Sequence, residues 1–198
     1  MLPKIISINI SSGGIPKLPV DSIRVTTAGL EGDGHNHAKH DSPIQAVCIQ
    51  DIEKLNELSQ VDYILSPGKA GENLTVENLH SNSLPIGTLL QFSGGVLLEI
   101  SKVRKPCYVM DAIHSRLKDD ALGRHGMYAR VLKEGVLTTG ETIAVIIDLC
   151  QLTERFSKTT TDGDNRRTRS LSDAKINKPA RSKNVRGAEF AATEKVQA

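Results

Sequence analysis

Residues 96–108 read VLLEISKVRKPCY, and the first eight of them predict a β-strand. Pro106 lacks an N–H group and fixes its φ angle, so the strand ladder must end there. Cys107 follows at the bend, directly after three closely spaced cations. The thiolate is the form of cysteine that attacks electrophiles and binds metals, and nearby cations lower the pKa of a thiol. The stretch therefore combines a sulfur atom with positive charge, although a small buried cysteine is the alternative interpretation.

Similar β-type runs, separated by glycine or proline turns, occupy most of residues 4–147. Ser93-Gly94-Gly95 predicts a hairpin between the run at 88–92 and the strand that begins at Val96. A convincing helical pattern follows Asp51, which stands at the cap position of that helix. These patterns predict a mainly β fold of the α+β class, a barrel or sandwich with a few short helices.

The charge distribution separates the chain into two parts. The 198 residues carry a net charge of +2, yet residues 151–198 alone hold 11 Lys/Arg against 6 Asp/Glu. We therefore predict a domain over residues 1–149 and a basic, disordered tail over residues 150–198. The tail is poor in aromatic side chains that would stack on bases, with Phe156 and Phe190 alone, so a solvated extension is favoured over nucleic-acid binding.

The cysteines and the apolar runs indicate the compartment. Cys48, Cys107 and Cys150 are odd in number and match neither a disulfide framework nor a zinc site. No signal peptide is evident, and no run reaches the ~20 apolar residues of a membrane span. We expect free thiols, a cytoplasmic location and no membrane partner.

A loop over residues 29–40 carries His35, His37 and His40 among glycines. Imidazole groups suit zinc, copper, iron or nickel, but the spacing is not that of a zinc finger. A metal site, an anion or cofactor contact, and an exposed polar loop all stay open. Phosphate-loop and dinucleotide-binding glycine motifs are missing from the sequence, so nucleotide binding has no support.

Taken in order along the chain, four motifs resemble those of MOSC domains, the C-terminal module of molybdenum cofactor sulfurases. They are GLEGDGH at 29–35 with His40 and Ala46-Val47, Pro67-Gly68 with GENL at 71–74, RKPCY at 104–108, and GMYARV at 126–131. The resemblance runs over roughly residues 4–147 and stops before the tail.

The resemblance implies a MOSC-type β-barrel with short helical insertions and an association with the molybdenum cofactor (molybdopterin). The family's cysteine ligates molybdenum or carries a persulfide sulfur, a role that passes to Cys107 alone. Basic residues near a pterin phosphate and an oxo-metal centre would offset negative charge, and polar residues would contact the pterin. The cofactor-binding residues predicted in this way are Asp33, His35, His40, Asn73, Arg104, Lys105 and Arg130.

The resemblance also bears on partners. The chain is too short to include the aminotransferase-like domain that holds pyridoxal phosphate in large MOSC sulfurases. A sulfur donor such as a cysteine desulfurase, or an electron donor protein, must then be a separate chain. The protein would act as a sulfur carrier in cofactor sulfuration or as an oxidoreductase for N-hydroxylated substrates. The alternatives are a cofactor-free thiol or persulfide redox protein, and a binding module that acts through its basic tail.

Overall fold

The computed structural model describes residues 1–34, 42–60, 63–106 and 108–147, so the predicted tail lies outside the described residues. Within this part of the chain, strands predominate and the helices are short. The strands are β1 (Lys4–Ile10), β2 (Leu18–Val20), β3 (Ser22–Thr26), β4 (Gly29–Leu30), β5 (Val47–Asp51), β6 (Leu74–Glu77), β7 (Leu89–Phe92), β8 (Leu97–Val103), β9 (Met127–Lys133), β10 (Gly135–Thr138) and β11 (Ile143–Ile146). The helices are α1 (Ile52–Ser59) and α2 (Leu117–Asp120), with 3₁₀ turns at Pro43–Gln45, Ser81–Ser83 and Tyr108–Ala112.

Two sheets contain these strands. The larger has eight strands in the order β11-β7-β8-β9-β5-β6-β1-β2, and the smaller has three in the order β10-β3-β4. Neighbours in the larger sheet are antiparallel, apart from β5 and β6, which run parallel with α1 in the connection between them. The predicted mainly β, α+β class is confirmed.

The predicted hairpin is also confirmed, because β7 and β8 are antiparallel with Leu90 opposite Leu98. Side chains alternate across β8, so Leu98 and Ile100 point into the core while their neighbours are partly exposed. The strand ends at Val103, as predicted, and Pro106 follows three residues later.

The predicted barrel is not confirmed, because no continuous ladder joins the two edges of the larger sheet in the described residues. Residues 3–5 do hydrogen-bond to residues 140–143 through backbone groups, and Lys4 and Thr142 form one isolated bridge. The sheet therefore curves and its first strand meets the segment before its last, but the strand pairing does not close. None of the helices in the described part of the chain has the length and apolar character that a membrane crossing requires.

Two aliphatic clusters support this arrangement. The larger lies along the sheets, and its members include Ile8, Ile49, Leu74, Leu98 and Phe92. The smaller lies where α1 and α2 pack together, and it consists of Leu55, Leu58, Tyr63, Leu65, Ala70, Met110, Leu117 and Ala121. Ala70 belongs to the smaller cluster and Leu74, the first residue of β6, belongs to the larger one, so the chain passes from one cluster to the other over residues 71–73.

Asp51 precedes α1 as predicted, but its carboxylate does not cap the helix. Instead it accepts hydrogen bonds from the Ser81 backbone N–H, at 2.9 and 3.1 Å, and from the Ser81 hydroxyl. Burial raises the pKa of the Asp51 carboxyl above its usual 3.8, and the bonds from Ser81 oppose this shift.

Asp51 therefore predicts a pH dependence of folding stability. A carboxyl whose pKa is raised in the folded state binds protons better there than in the unfolded chain. Its contribution is greatest at low pH and is lost as pH rises through the folded-state pKa. Relative to Asp51→Asn, the wild type should lose free energy of unfolding from about pH 4 upward, as measured by urea unfolding. A wild type that gains stability relative to the variant over that range would contradict the argument.

Candidate functional site

Cys107, His35, His37 and His40 lie outside the described residues, so their predicted roles stay predictions. Asp33, Asn73, Arg104, Lys105 and Arg130 are all described. In the described ranges, no group of three or more His, Cys, Asp or Glu side chains could hold a metal ion.

Asp33 and Asn73 come together although 40 residues separate them. The Asn73 amide nitrogen donates a hydrogen bond to Asp33 Oδ2 over 2.8 Å. Asp33 Oδ1 accepts a second bond from the backbone N–H of Ser11 at 3.0 Å. The Lys17 ammonium forms an ion pair with Asp33 Oδ2, and the two side chains are only 11% and 1% exposed. The first two motifs, at residues 29–35 and 67–74, therefore meet in one buried polar network.

Asn73 lies directly before β6 and connects three segments. Its Oδ1 accepts the backbone N–H of Cys48 at 3.0 Å, and its own N–H donates to the Cys48 carbonyl at 2.9 Å. Its carbonyl accepts the Asn9 N–H at 2.7 Å. A ligand that bonded Asp33 or Asn73 directly would have to replace bonds within the protein, because these polar atoms are already engaged.

The turn before Asn73 is held by Glu72, whose side chain is fully buried. Glu72 Oε1 accepts the Gly68 N–H at 2.7 Å and the Thr75 hydroxyl at 2.8 Å. Gly68 in turn accepts the backbone N–H of Lys17 through its carbonyl at 2.9 Å. The second motif is thus attached to Lys17 by its backbone, and the first motif is attached to Lys17 by its side chain.

Arg104 brings the cysteine motif to the same region. Its guanidinium is buried, with 6% of the residue exposed, and Nη2 donates to the carbonyl of Ala70. Gly71 has a φ of +86°, and a β-carbon there would lie 2.9 Å from Ile15 Cγ2 and 3.5 Å from Arg104 Nη2. The backbone at Gly71 and the Arg104 side chain therefore approach each other closely.

The other two predicted cations do not join this network. Lys105 is exposed. Arg130 lies on the solvent side of β9, where Nε and Nη2 donate to Glu99 Oε2 at 3.0 and 2.7 Å. An exposed ion pair of this kind contributes little stability, and it leaves Arg130 apart from Asp33 and Asn73.

Cys48 lies in the middle of the network, on the face of β5 opposite the main core. It is a free, buried cysteine. Burial raises the pKa of its thiol, and the charge of Glu72 adds to the shift, while the nearby cations Arg104 and Lys17 oppose it. The Cys48 thiol is thus protonated at neutral pH and buried, and its pKa depends on the charges of Glu72, Arg104 and Lys17.

Lys17, Glu72 and Cys48 are the site residues that the sequence did not reveal. Cys48 matches no motif cysteine, and Glu72 is part of a quoted motif without an assigned role. Lys17 stands between Pro16 and Pro19 in a segment without periodicity. Its partner Asp33 is 16 residues away, beyond the reach of any local pattern.

Comparisons with known proteins bear on the family and the fold. The family model described as "MOSC domain" matches residues 33–144, more than half of the chain. YflK of Bacillus subtilis is 30% identical over 140 residues, which cover 67% of this chain and 63% of YflK, so the chain spans less than two thirds of that relative. A Gibberella moniliformis protein named "Reductase" is 37% identical over 86 residues, 40% of this chain and 15% of that protein. The crystal structure of YuaD from Bacillus subtilis has a similar fold, with a TM-score of 0.64, 22% identity, and coverage of 73% of this chain and 96% of YuaD.

Proposed function

Because the chain belongs to the MOSC domain family, we propose that it binds a molybdenum cofactor, with Cys107 as molybdenum ligand or persulfide carrier. The observation that carries the proposal is that residues of the first three motifs, Asp33, Asn73 and Arg104, meet in one buried region. Asp33 bonds Asn73, and Arg104 bonds the loop that leads to Asn73. Buried charged groups with specific charge partners are candidates for a functional site.

The described residues fit such a group by their chemistry. Arg104 presents a buried guanidinium beside a glycine backbone, and a planar guanidinium suits the oxygens of a phosphate or an oxo-metal group. Asp33, Asn73 and Lys17 would keep the surrounding loops in place. A soft thiolate, which the sequence supplies at Cys107, suits a thiophilic metal.

The bound cofactor would supply two-electron chemistry for the reduction of N-hydroxylated compounds, or a sulfur atom for a partner enzyme. The relative named reductase favours the reductive role. The match covers only 15% of that protein, so its activity comes to this chain as a proposal, with an electron donor protein as the proposed partner. A cysteine desulfurase would be the corresponding donor if the protein carries sulfur.

Metal analysis of the purified protein tests the proposal. Wild type, Cys107→Ser and the control Cys150→Ser are expressed in a host that makes the cofactor, and molybdenum and released pterin are measured. We expect cofactor in the wild type and in the control, and a loss of about tenfold or more in Cys107→Ser, since even residues behind a metal ligand change affinity by about 10–100-fold.

Equal molybdenum and pterin in wild type and Cys107→Ser would overturn the ligand role. A wild type without either, but with a Cys107 thiol that is alkylated rapidly near neutral pH, would instead favour a cofactor-free thiol protein.

A further inference from the structure

Among the ion pairs between described residues, Lys17–Asp33 has both side chains nearly fully buried. The other five ion pairs in the described residues have at least one partner with a side chain 30% or more exposed. Removing the charge of Lys17 would leave Asp33 buried without its counter-ion, which is costly in a protein interior. A charge pair buried to this extent between two of the motifs is a candidate for a role in the site.

Lys17 contacts the loops of the first two motifs, one at Asp33 and the other at Gly68. Its backbone N–H bonds the Gly68 carbonyl, and a β-carbon on Gly68 would lie 2.3 Å from the Lys17 carbonyl oxygen. Its ammonium bonds Asp33, which also holds Asn73. Gly34 follows Asp33 in the sequence, and its backbone N–H donates a hydrogen bond to the Ser11 carbonyl at 2.6 Å. The last two residues described before the gap at 35–41, Asp33 and Gly34, are thus anchored to Ser11.

We propose that Lys17 is a positioning residue of the site, which acts through Asp33 to hold the described end of the first motif, Asp33 and Gly34, beside Asn73. The inference rests on the proposed function. Lys17 itself does not need to contact the cofactor, since its ammonium is engaged with Asp33. It sets the relative placement of the first two motifs, on which cofactor retention depends.

The test compares Lys17→Met and Lys17→Arg with Lys4→Met, which removes the same charge from an exposed ion pair with Glu77. The first readout is alkylation of Cys48, followed by peptide mass mapping of the full chain. The Lys17 cation lowers the pKa of the Cys48 thiol, so loss of its charge alone would slow alkylation. Opening of the network would accelerate it, by about tenfold in Lys17→Met, because buried charged hydrogen bonds are lost.

The second readout is molybdenum and pterin content. We expect Lys17→Met to retain about tenfold less cofactor than wild type, Lys17→Arg to recover most of it, and Lys4→Met to equal wild type. If Lys17→Met does not fold, Lys17→Met/Asp33→Asn replaces it, since that variant leaves no unpaired charge; the same loss is expected.

The two hypotheses fail in different ways. Full cofactor content in Lys17→Met, or unchanged or slower alkylation of Cys48, would overturn the positioning role and leave the proposed function intact. A wild type without cofactor would overturn both.

Discussion

Gly126→Ala should destabilise the protein by about 3 kcal/mol or more. Gly126 has a φ of +73°, and a β-carbon there would lie 2.1 Å from the Ile49 carbonyl oxygen and 3.0 Å from Gln50 Oε1. The residue sits directly before β9, and its carbonyl accepts the backbone N–H of Arg104 at 3.3 Å. The added methyl group would push β9 away from β5 at the centre of the larger sheet.

The matched control is Gly123→Ala, three residues earlier. Gly123 has nearly the same φ, +75°, but a β-carbon there would meet no atom within 4 Å. It should lose only about 1 kcal/mol, the cost of a left-handed conformation for alanine. The difference between the free energies of unfolding of the two variants, measured with urea, gives the cost of the clash with Ile49, because both variants share the cost of a positive φ. Equal losses in the two variants would contradict the close approach of the turn to β5.

The sequence predicts local elements of this fold better than their pairing. The hairpin around Ser93-Gly94-Gly95 and the strand at β9 follow from residues a few positions apart. The parallel pairing of β5 with β6 does not, because it depends on contacts across α1 and the following loop. The ladder that would close a barrel depends on contacts between the two ends of the domain, where only isolated bonds form.

The same distinction applies to the site. Motif order identified Asp33, Asn73 and Arg104, but not what they bond. Asp33 faces Lys17 and Asn73 because three loops cross at the ends of β1 and β6, which no local pattern encodes. Asp51 shows the reverse error, since its position before α1 predicts a cap and its carboxylate bonds Ser81 instead. A side chain's place in an element is thus readable from sequence, whereas its choice of partner is set by tertiary contacts.

Asn73→Leu should cost about 2–4 kcal/mol of folding stability. Leucine is similar in size but cannot accept the Cys48 N–H, and Asp33 loses its bond from the amide. Both groups are buried, so water cannot replace the lost partner. Asn56→Leu, at an exposed position of α1, is the control and should change stability by less than about 0.5 kcal/mol. The free energies of unfolding of both variants and the wild type are obtained from the midpoints and slopes of their urea unfolding curves.

Asn73→Asp tests whether the lost bond is the one to Asp33. This substitution keeps an oxygen for the Cys48 N–H but places a second carboxylate where the amide now donates to Asp33 over 2.8 Å. Two carboxylates at that distance cannot both ionise readily, so the pKa of one rises in the folded state. Stability of Asn73→Asp relative to wild type should therefore improve as pH falls from about 8 to about 5, because a protonated carboxyl can donate the bond that the amide supplied. A deficit that stays constant over this range would mean that Asp33 and residue 73 do not interact, and the network that joins the first two motifs would then have to be abandoned.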